Sequence, residues 1–188
     1  MTKFPAPNPP YVGPPKYHGD ANNKPIRRIV LHSTVGPTKA GSARKIAKYF
    51  QDPAVPSSCH YIVDAAESLQ LTYDSVVAYH DGVNVHELGI EMCDYPVTAS
   101  KGGLKRWEDA DHRALLKNTI HLTVDLLLAY NLPPNWLDVP ELLKGRRGIT
   151  THNNISHAFH KSTHWDPGAF PVVEFMKRVE ARYNKLRR

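Results

Sequence analysis

The sequence predicts an α/β domain with a central mixed β-sheet flanked by helices. Two observations point there. Short apolar or β-branched runs recur along the chain, at Ile26–His32, His60–Val63, Leu69–Tyr73, Leu88–Met92 and Gly148–Thr151; they are too brief for helices and are bounded by Gly, Pro or Asp. Between and after them lie segments with helical spacing, the longest from Glu108 to Tyr130. Strands interleaved with helices are the pattern of a sheet covered by helical layers.

Taken in order, Met1–Lys24 reads as an extended arm, because seven of the 16 prolines fall in residues 1–25 and proline suits neither a helix interior nor a central strand. The folded domain then spans residues 25–188. Ile29-Val30-Leu31 fits a buried strand, followed by the loop signal Gly36-Pro37. Ala43, Ile46, Ala47 and Phe50 share a helical face that Ser42 is placed to cap and Pro53 and Pro56 to stop. His60–Val63 and Leu69–Tyr73 read as two strands joined at Asp64–Ser68, and Leu88–Met92 as another. In the long helix the stripe is Leu115, Leu116, Thr119, Ile120, Thr123, Val124 and Leu127, closed by Pro133-Pro134. Gly148–Thr151 is a brief extended piece. Pro171 opens a last helix carrying Val172, Phe175, Met176, Val179 and Tyr183.

Length and composition exclude several classes. With 188 residues and 41% hydrophobic residues the chain can bury a core without staples. No stretch approaches the roughly 20 apolar residues of a membrane helix, so no membrane insertion is expected. The start lacks a charged-then-apolar leader, so no signal peptide is expected. The net charge of +6 is concentrated in residues 177–188, where six Lys or Arg face only Glu180. The rest is nearly neutral and shows no basic stripe, so nucleic acid is not an expected partner. Cations at the end of a helix suit its negative dipole pole, and the same patch would suit an anionic polymer. Cys59 and Cys93 cannot build a zinc ribbon; they are expected as free thiols, with one bridge as the other arrangement.

The chemistry gathers where apolar elements end. His32 closes the first strand, His152 follows Ile149-Thr150-Thr151, and Asp166 sits in the turn Trp165-Asp166-Pro167-Gly168. Two histidines and a carboxylate are a common set for catalytic zinc, but joining His152 to Asp166 requires a loop to fold back. Within that loop His157, His160 and His164 are spaced to share a helical face and form a competing cluster. Spacing alone does not rank the two.

Six blocks recur in the order of a known family: Ile29-Val30-Leu31-His32-Ser33-Thr34, Ser58-Cys59-His60-Tyr61-Ile62-Val63-Asp64, Tyr79-His80-Asp81-Gly82, Leu88-Gly89-Ile90-Glu91-Met92, Ile149-Thr150-Thr151-His152-Asn153 and Asp166-Pro167-Gly168-Ala169-Phe170. On these the chain resembles the zinc-dependent N-acetylmuramoyl-L-alanine amidases of the type 2, peptidoglycan-recognition-protein class, and most of all the amidase domain of a (myco)bacteriophage endolysin. The resemblance implies a peptidoglycan-recognition-protein-like amidase fold. It implies Zn2+ held by His32, His152 and Asp166, which leaves the site with a single net positive charge. It implies Glu91 as the proton-moving acid and base; in the strand Glu91 faces opposite to Ile90, toward a cleft. A donor to the oxyanion is expected at His164, with Lys161 as its substitute if the longer loop shifts the register. Cys59 stands where some members carry an assisting Tyr. His60 and His80 are expected along the cleft wall or directly behind the metal ligands, and Thr34, His60, His80, Asn84, Asn153 and Lys161 as contacts to substrate.

The expected partner is peptidoglycan, glycan strand and stem peptide together, acted on by a monomer. The expected setting is synthesis in the host bacterial cytoplasm and action on the cell wall after release. A non-catalytic peptidoglycan binder would lack a metal ligand, and here all three are present. A nuclease, prompted by His152-Asn153-Asn154, would need a phosphate-facing basic surface.

Overall fold

A computed structural model describes residues 8–188. The N-terminal portion of the predicted arm, residues 1–7, lies outside the described residues. Five strands form one sheet among them: β1 (Arg28–Ser33), β2 (Tyr61–Val63), β3 (Ser68–Gln70), β4 (Glu87–Met92) and β5 (Gly148–Thr151), in the order β3-β2-β4-β1-β5. β1 runs parallel to β4 and β5, β4 is parallel to β2, and only the β2–β3 hairpin is antiparallel. The sheet is therefore mixed, as expected. All six residues of β1 are buried, as a central parallel strand with both faces covered requires.

Side chains alternate along each strand, so the sheet has two distinct faces. Ile29 and Leu31, Tyr61 and Val63, and Leu88, Ile90 and Met92 point to one face and join the largest apolar cluster. That face is covered by α2 (Ala110–Ala129) and α5 (Val172–Arg187). The predicted stripe of α2 is buried throughout, and Leu122, Leu126 and Leu128 are buried too, because α5 packs against a second side of the helix. Each such side chain contributes roughly 1.5–3 kcal/mol of burial.

The opposite face carries two smaller clusters. Ile62 and Leu69 pack under α1 (Ser42–Phe50), and Val30 packs with α3 (Val139–Leu143) and α4 (His152–Phe159). Between them, along β1 and β4, lie His32, Gly89 and Glu91, beneath an open groove rather than a helix. This is the region at the carboxyl ends of neighbouring parallel strands, where open α/β sheets bind ligands.

The structure departs from the sequence reading at several ends. The third strand is Ser68–Gln70, not Leu69–Tyr73. Ser42 is the first residue of α1 rather than its cap; Gly41 precedes it at φ 82°. The cap comes from elsewhere: the buried Asp64 carboxylate, in the β2–β3 turn, accepts the N–H of Ala43 at 3.0 Å and those of Ala66 and Glu67 at 2.7 and 2.9 Å. α3 and α4 were not expected. α4 is short and opens on His152-Asn153-Asn154, poor helix formers. It is started by the Thr151 hydroxyl, which accepts the Asn154 N–H at 3.3 Å. It ends at His160, at φ 54°, so His157, His160 and His164 do not share a helical face and the competing cluster is not formed.

The described part of the arm docks on the domain. Residues 8–24 exchange backbone hydrogen bonds with β3 and the loop after it, including Val12 N–H to Gln70 C=O at 3.0 Å and Gly19 N–H to Val77 C=O at 2.8 Å. The Tyr11 and Tyr73 rings stack at 4.5 Å. Cys59 and Cys93 are buried free thiols whose pKa values burial raises.

α2 begins at Ala110, not Glu108, because Asp109 accepts the His112 N–H at 2.8 Å. The His112 ring bonds Asp94 at 3.0 Å and Asp109 at 2.7 Å. The bond to Asp94, against a smaller opposing effect of burial, raises the imidazole pKa. A pKa raised in the folded state contributes stability that is fully present below the unfolded value near 6.5 and is lost as pH rises through the folded one. The melting temperature of the wild type should therefore exceed that of His112→Gln by more at pH 6 than at pH 9; an equal gap at both pH values would show that the ring works only as a neutral hydrogen-bonding group.

Candidate metal centre

Three buried donors converge at the open face of the sheet. His32 stands near the end of β1, His152 opens α4 directly after β5, and Asp166 reaches back from the following turn. His32 Nδ1 lies 3.1 Å from His152 Nδ1, His152 Nδ1 lies 3.1 Å from an Asp166 oxygen, and His32 Nδ1 lies 3.4 Å from the other. A tetrahedral zinc with bonds of about 2.0–2.1 Å separates its donors by about 3.3 Å. The two imidazole nitrogens stand about as far apart as two corners of that tetrahedron, each lies within 3.4 Å of one of the two Asp166 oxygens, and the donor types fit that ion.

The protonation states also fit. Burial lowers the His32 pKa, outweighing its hydrogen bond to Asp166, so the neutral ring is favoured. Burial alone would raise the Asp166 pKa, but hydrogen bonds to His152 and His32 hold its carboxyl well below the usual carboxylate range. Each histidine uses its remaining nitrogen for orientation. His32 Nε2 is 3.1 Å from His80 Nδ1, and His152 Nε2 is 3.0 Å from Ser162 Oγ. With Nδ1 turned to a metal, both Nε2–H groups donate, which fixes tautomer and ring plane. Ser162 has no sequence signal beyond lying in the loop that links His152 to Asp166.

Glu91 is the register partner of His32 on β4, so the two side chains share a face. Burial, with Asp166 adding repulsion, pushes the Glu91 carboxyl well above its ordinary pKa. His164 is exposed; its ring stacks on His152 at 4.8 Å, and its Nδ1 is 3.8 Å from Asp166. Lys161 lines the groove beside it, and its backbone lies so close to Gly82 that a Cβ there would sit 3.0 Å from the Lys161 carbonyl. The groove has a volume of about 1020 Å³. Thr34, Asn84, His160 and Tyr79 line it, and Ile46, Tyr49 and Phe50 of α1 form an apolar wall.

Of the expected substrate contacts, His60 and Asn153 lie off the groove lining, and His80 reaches it with a ring packed beneath His32. His60 is fully buried, and both ring nitrogens are spent on backbone: Nε2 donates to the Val76 carbonyl at 3.0 Å and Nδ1 accepts the Gly89 N–H at 3.1 Å. A ring so placed touches no bound polymer. The His80 side chain has no exposed surface and lies beneath His32, seated against Gly89, where a Cβ would come within 2.8 Å of its ring. Burial pushes its pKa down to about 3. Asn153 is tied by its backbone N–H to the Asp166 carbonyl at 2.9 Å and is not among the residues lining the groove. In each case the sequence block marks a group that builds the site from behind.

His60→Phe keeps the ring volume but strips both hydrogen bonds. It should lower stability by about 1–3 kcal/mol in urea unfolding, while the folded protein still takes up its full complement of zinc; a loss of zinc from folded protein would mean that His60 acts on the site directly.

Similar proteins share this architecture. The fold matches hydrolase AmiA of Staphylococcus aureus, solved with its ligand, at a TM-score of 0.73 and 15% identity over 96% of this chain and 85% of that one. It matches the endolysin N-acetylmuramoyl-L-alanine amidase LysCS from Clostridium intestinale at 0.57 and 17%, over 98% and 99% of the two chains. A mutant endolysin from Bacillus subtilis matches at 0.55 and 18%, over 92% and 99%. No curated protein sequence matches the chain at a significant level. The family model for N-acetylmuramoyl-L-alanine amidase matches residues 22–169, which include the three converging donors and Glu91. The chain belongs to the N-acetylmuramoyl-L-alanine amidase family.

Proposed function

We propose that this amidase is a zinc hydrolase that cleaves the amide between the lactyl group of N-acetylmuramic acid and the L-alanine of the stem peptide, for lysis of a bacterial wall by a phage. The observation that carries the reading is the convergence of His32, His152 and Asp166, whose imidazole nitrogens lie 3.1 Å apart and 3.1 and 3.4 Å from the two Asp166 oxygens. The endolysin neighbours support the phage role.

His32, His152 and Asp166 would hold the ion, Asp166 contributing the one negative charge. Bound there, zinc would supply Lewis acidity toward the scissile carbonyl and water. Glu91, beside His32 on the same sheet face, takes the proton of the attacking water and returns it to the alanine nitrogen as the amide breaks. Its tendency to hold a proton suits the second half of that task. His164, exposed at the rim and stacked on His152, donates a hydrogen bond to the developing oxyanion. Lys161 is the alternative donor. Thr34 and Asn84 contact substrate from the groove. An open groove suits a polymer, glycan strand and stem peptide together, more than a small molecule. No helix among the described residues is long and apolar enough to cross a membrane. The protein acts as a monomer, made in the host cytoplasm and reaching the wall after release.

Purified peptidoglycan incubated with the enzyme should gain free L-alanine N-termini and no new reducing ends. Chelation and Asp166→Ala should each abolish the release. Glu91→Gln should lower it by about 10²–10⁴-fold with zinc content unchanged. Wall binding without release by the wild type would instead identify a binding module.

A further inference from the structure

We infer that Arg106 is the positioning residue for the third metal donor, clamping the Asp166–Ala169 turn to Asp94 at the end of β4 so that the Asp166 carboxylate meets His32 and His152. The inference rests on the metal reading above. Arg106 lies in the connection between β4 and α2, outside every block of the resemblance and outside the groove.

Its guanidinium is nearly buried and uses its whole fork. Nε and Nη2 donate to the buried Asp94 carboxylate, at 3.2 and 2.7 Å. Nη2 also reaches the Pro167 carbonyl at 3.1 Å. Nη1 donates to the Ala169 carbonyl at 2.8 Å and to that of Gly103. The next residue, Trp107, donates its indole N–H to the same Ala169 carbonyl at 3.0 Å. Two carbonyls immediately after Asp166 are thus bound by one rigid plane.

The same carboxylate closes the circuit. Asp94 accepts from Ser33 Oγ at 3.4 Å, and the Ser33 backbone N–H donates to Asp166 Oδ2 at 3.2 Å. The path Asp166–turn–Arg106–Asp94–Ser33–Asp166 is a ring of hydrogen bonds tying β1, β4 and the turn together, with His32 one residue before Ser33. The backbones meet without spacers: Ala169 N–H donates to the Val97 carbonyl at 2.8 Å, and a Cβ on Gly168, at φ 69°, would come within 2.7 Å of that oxygen. An ammonium group has no planar fork and cannot span a carboxylate and three carbonyls in fixed directions. Arginine is required by that geometry, not by charge alone.

The test compares zinc affinity with stability of the zinc-free protein, using wild type, Arg106→Met and Arg106→Lys. Affinity is read by competition with a chromophoric chelator and stability by thermal melting. Arg106→Met should bind zinc about 10–100-fold more weakly while remaining folded at the assay temperature, and Arg106→Lys should fall between it and the wild type. A lower melting temperature with zinc affinity unchanged within twofold would overturn the inference and leave Arg106 a purely structural clamp. Should Arg106→Met fail to fold, Arg106→Lys decides: affinity equal to wild type overturns the inference, and a severalfold loss supports it. Failure of the wild type to bind zinc would overturn the metal reading itself, a result distinct from equal binding by wild type and variant.

Discussion

Three metal-binding side chains, His32, His152 and Asp166, converge on one spot beside the groove, and the rest of the site is arranged around that constraint. Without a cation or a shared proton between them, two imidazole nitrogens and a carboxylate repel one another. Their approach to 3.1–3.4 Å has to be enforced by the scaffold. His32 is enforced by a central strand buried along its whole length and by His80 behind it. His152 is enforced by the junction of β5 and α4 and by Ser162. Asp166 stands on a turn with no strand or helix of its own, so its support must come from bonds that cross the fold. The Asp94–Arg106 clamp supplies them, which explains why so many strong donors converge on a segment this short.

The sheet makes the site possible through its period of two. On β1, Ile29 and Leu31 go to the large core while Val30 and His32 go to the other face; on β4, Leu88, Ile90 and Met92 go to the core while Gly89 and Glu91 oppose them. Parallel pairing then sets Glu91 beside His32. A slip of one residue in β4 would bury Glu91 in the apolar cluster and turn Ile90 into the groove, and the same slip in β1 would exchange His32 and Leu31. The catalytic pairing and the hydrophobic pairing are therefore the same pairing, and the core protects the chemistry.

What was legible in the sequence follows from which signals are local. Ile29–Leu31, Leu88–Met92 and the α2 stripe are long or periodic enough to declare themselves, and the sheet they imply is the one found. α4 was not legible, because a helix opening on His-Asn-Asn is held by the Thr151 cap and by packing of Ile155 and Ala158 rather than by propensity. Without it the register of the His152–Asp166 loop stayed open, and Ser162 went unseen. His60 and His80 were visible as blocks, but a block does not tell which way a ring points. Only tertiary structure shows His60 bonded to two backbone groups and His80 under His32. Arg106 gave no signal, since its partners are a carboxylate twelve residues back and carbonyls some sixty residues ahead.

The two faces divide the labour of stability and function. The α2–α5 side is apolar and closely packed. The groove side buries the side chains of His80, Asp81 and Glu87; His80 Nε2 and Glu87 Oε2 make no hydrogen bond among the described residues, and Asp81 Oδ2 has the His80 ring at 3.5 Å. Burial and the neighbouring Asp81 push the Glu87 carboxyl well above its ordinary pKa, and its main support is the ion pair with Arg28. Each unpaired buried polar atom costs about 1–3 kcal/mol. They lie in the loop before β4 and at its first residue, and His80 among them touches His32 on the neighbouring β1, so orientation of His32 has been favoured over local stability. The deficit is tolerable because the opposite face of the same strands is anchored in the largest apolar cluster of the protein. Next to His32 on β1, Leu31 is buried in that cluster.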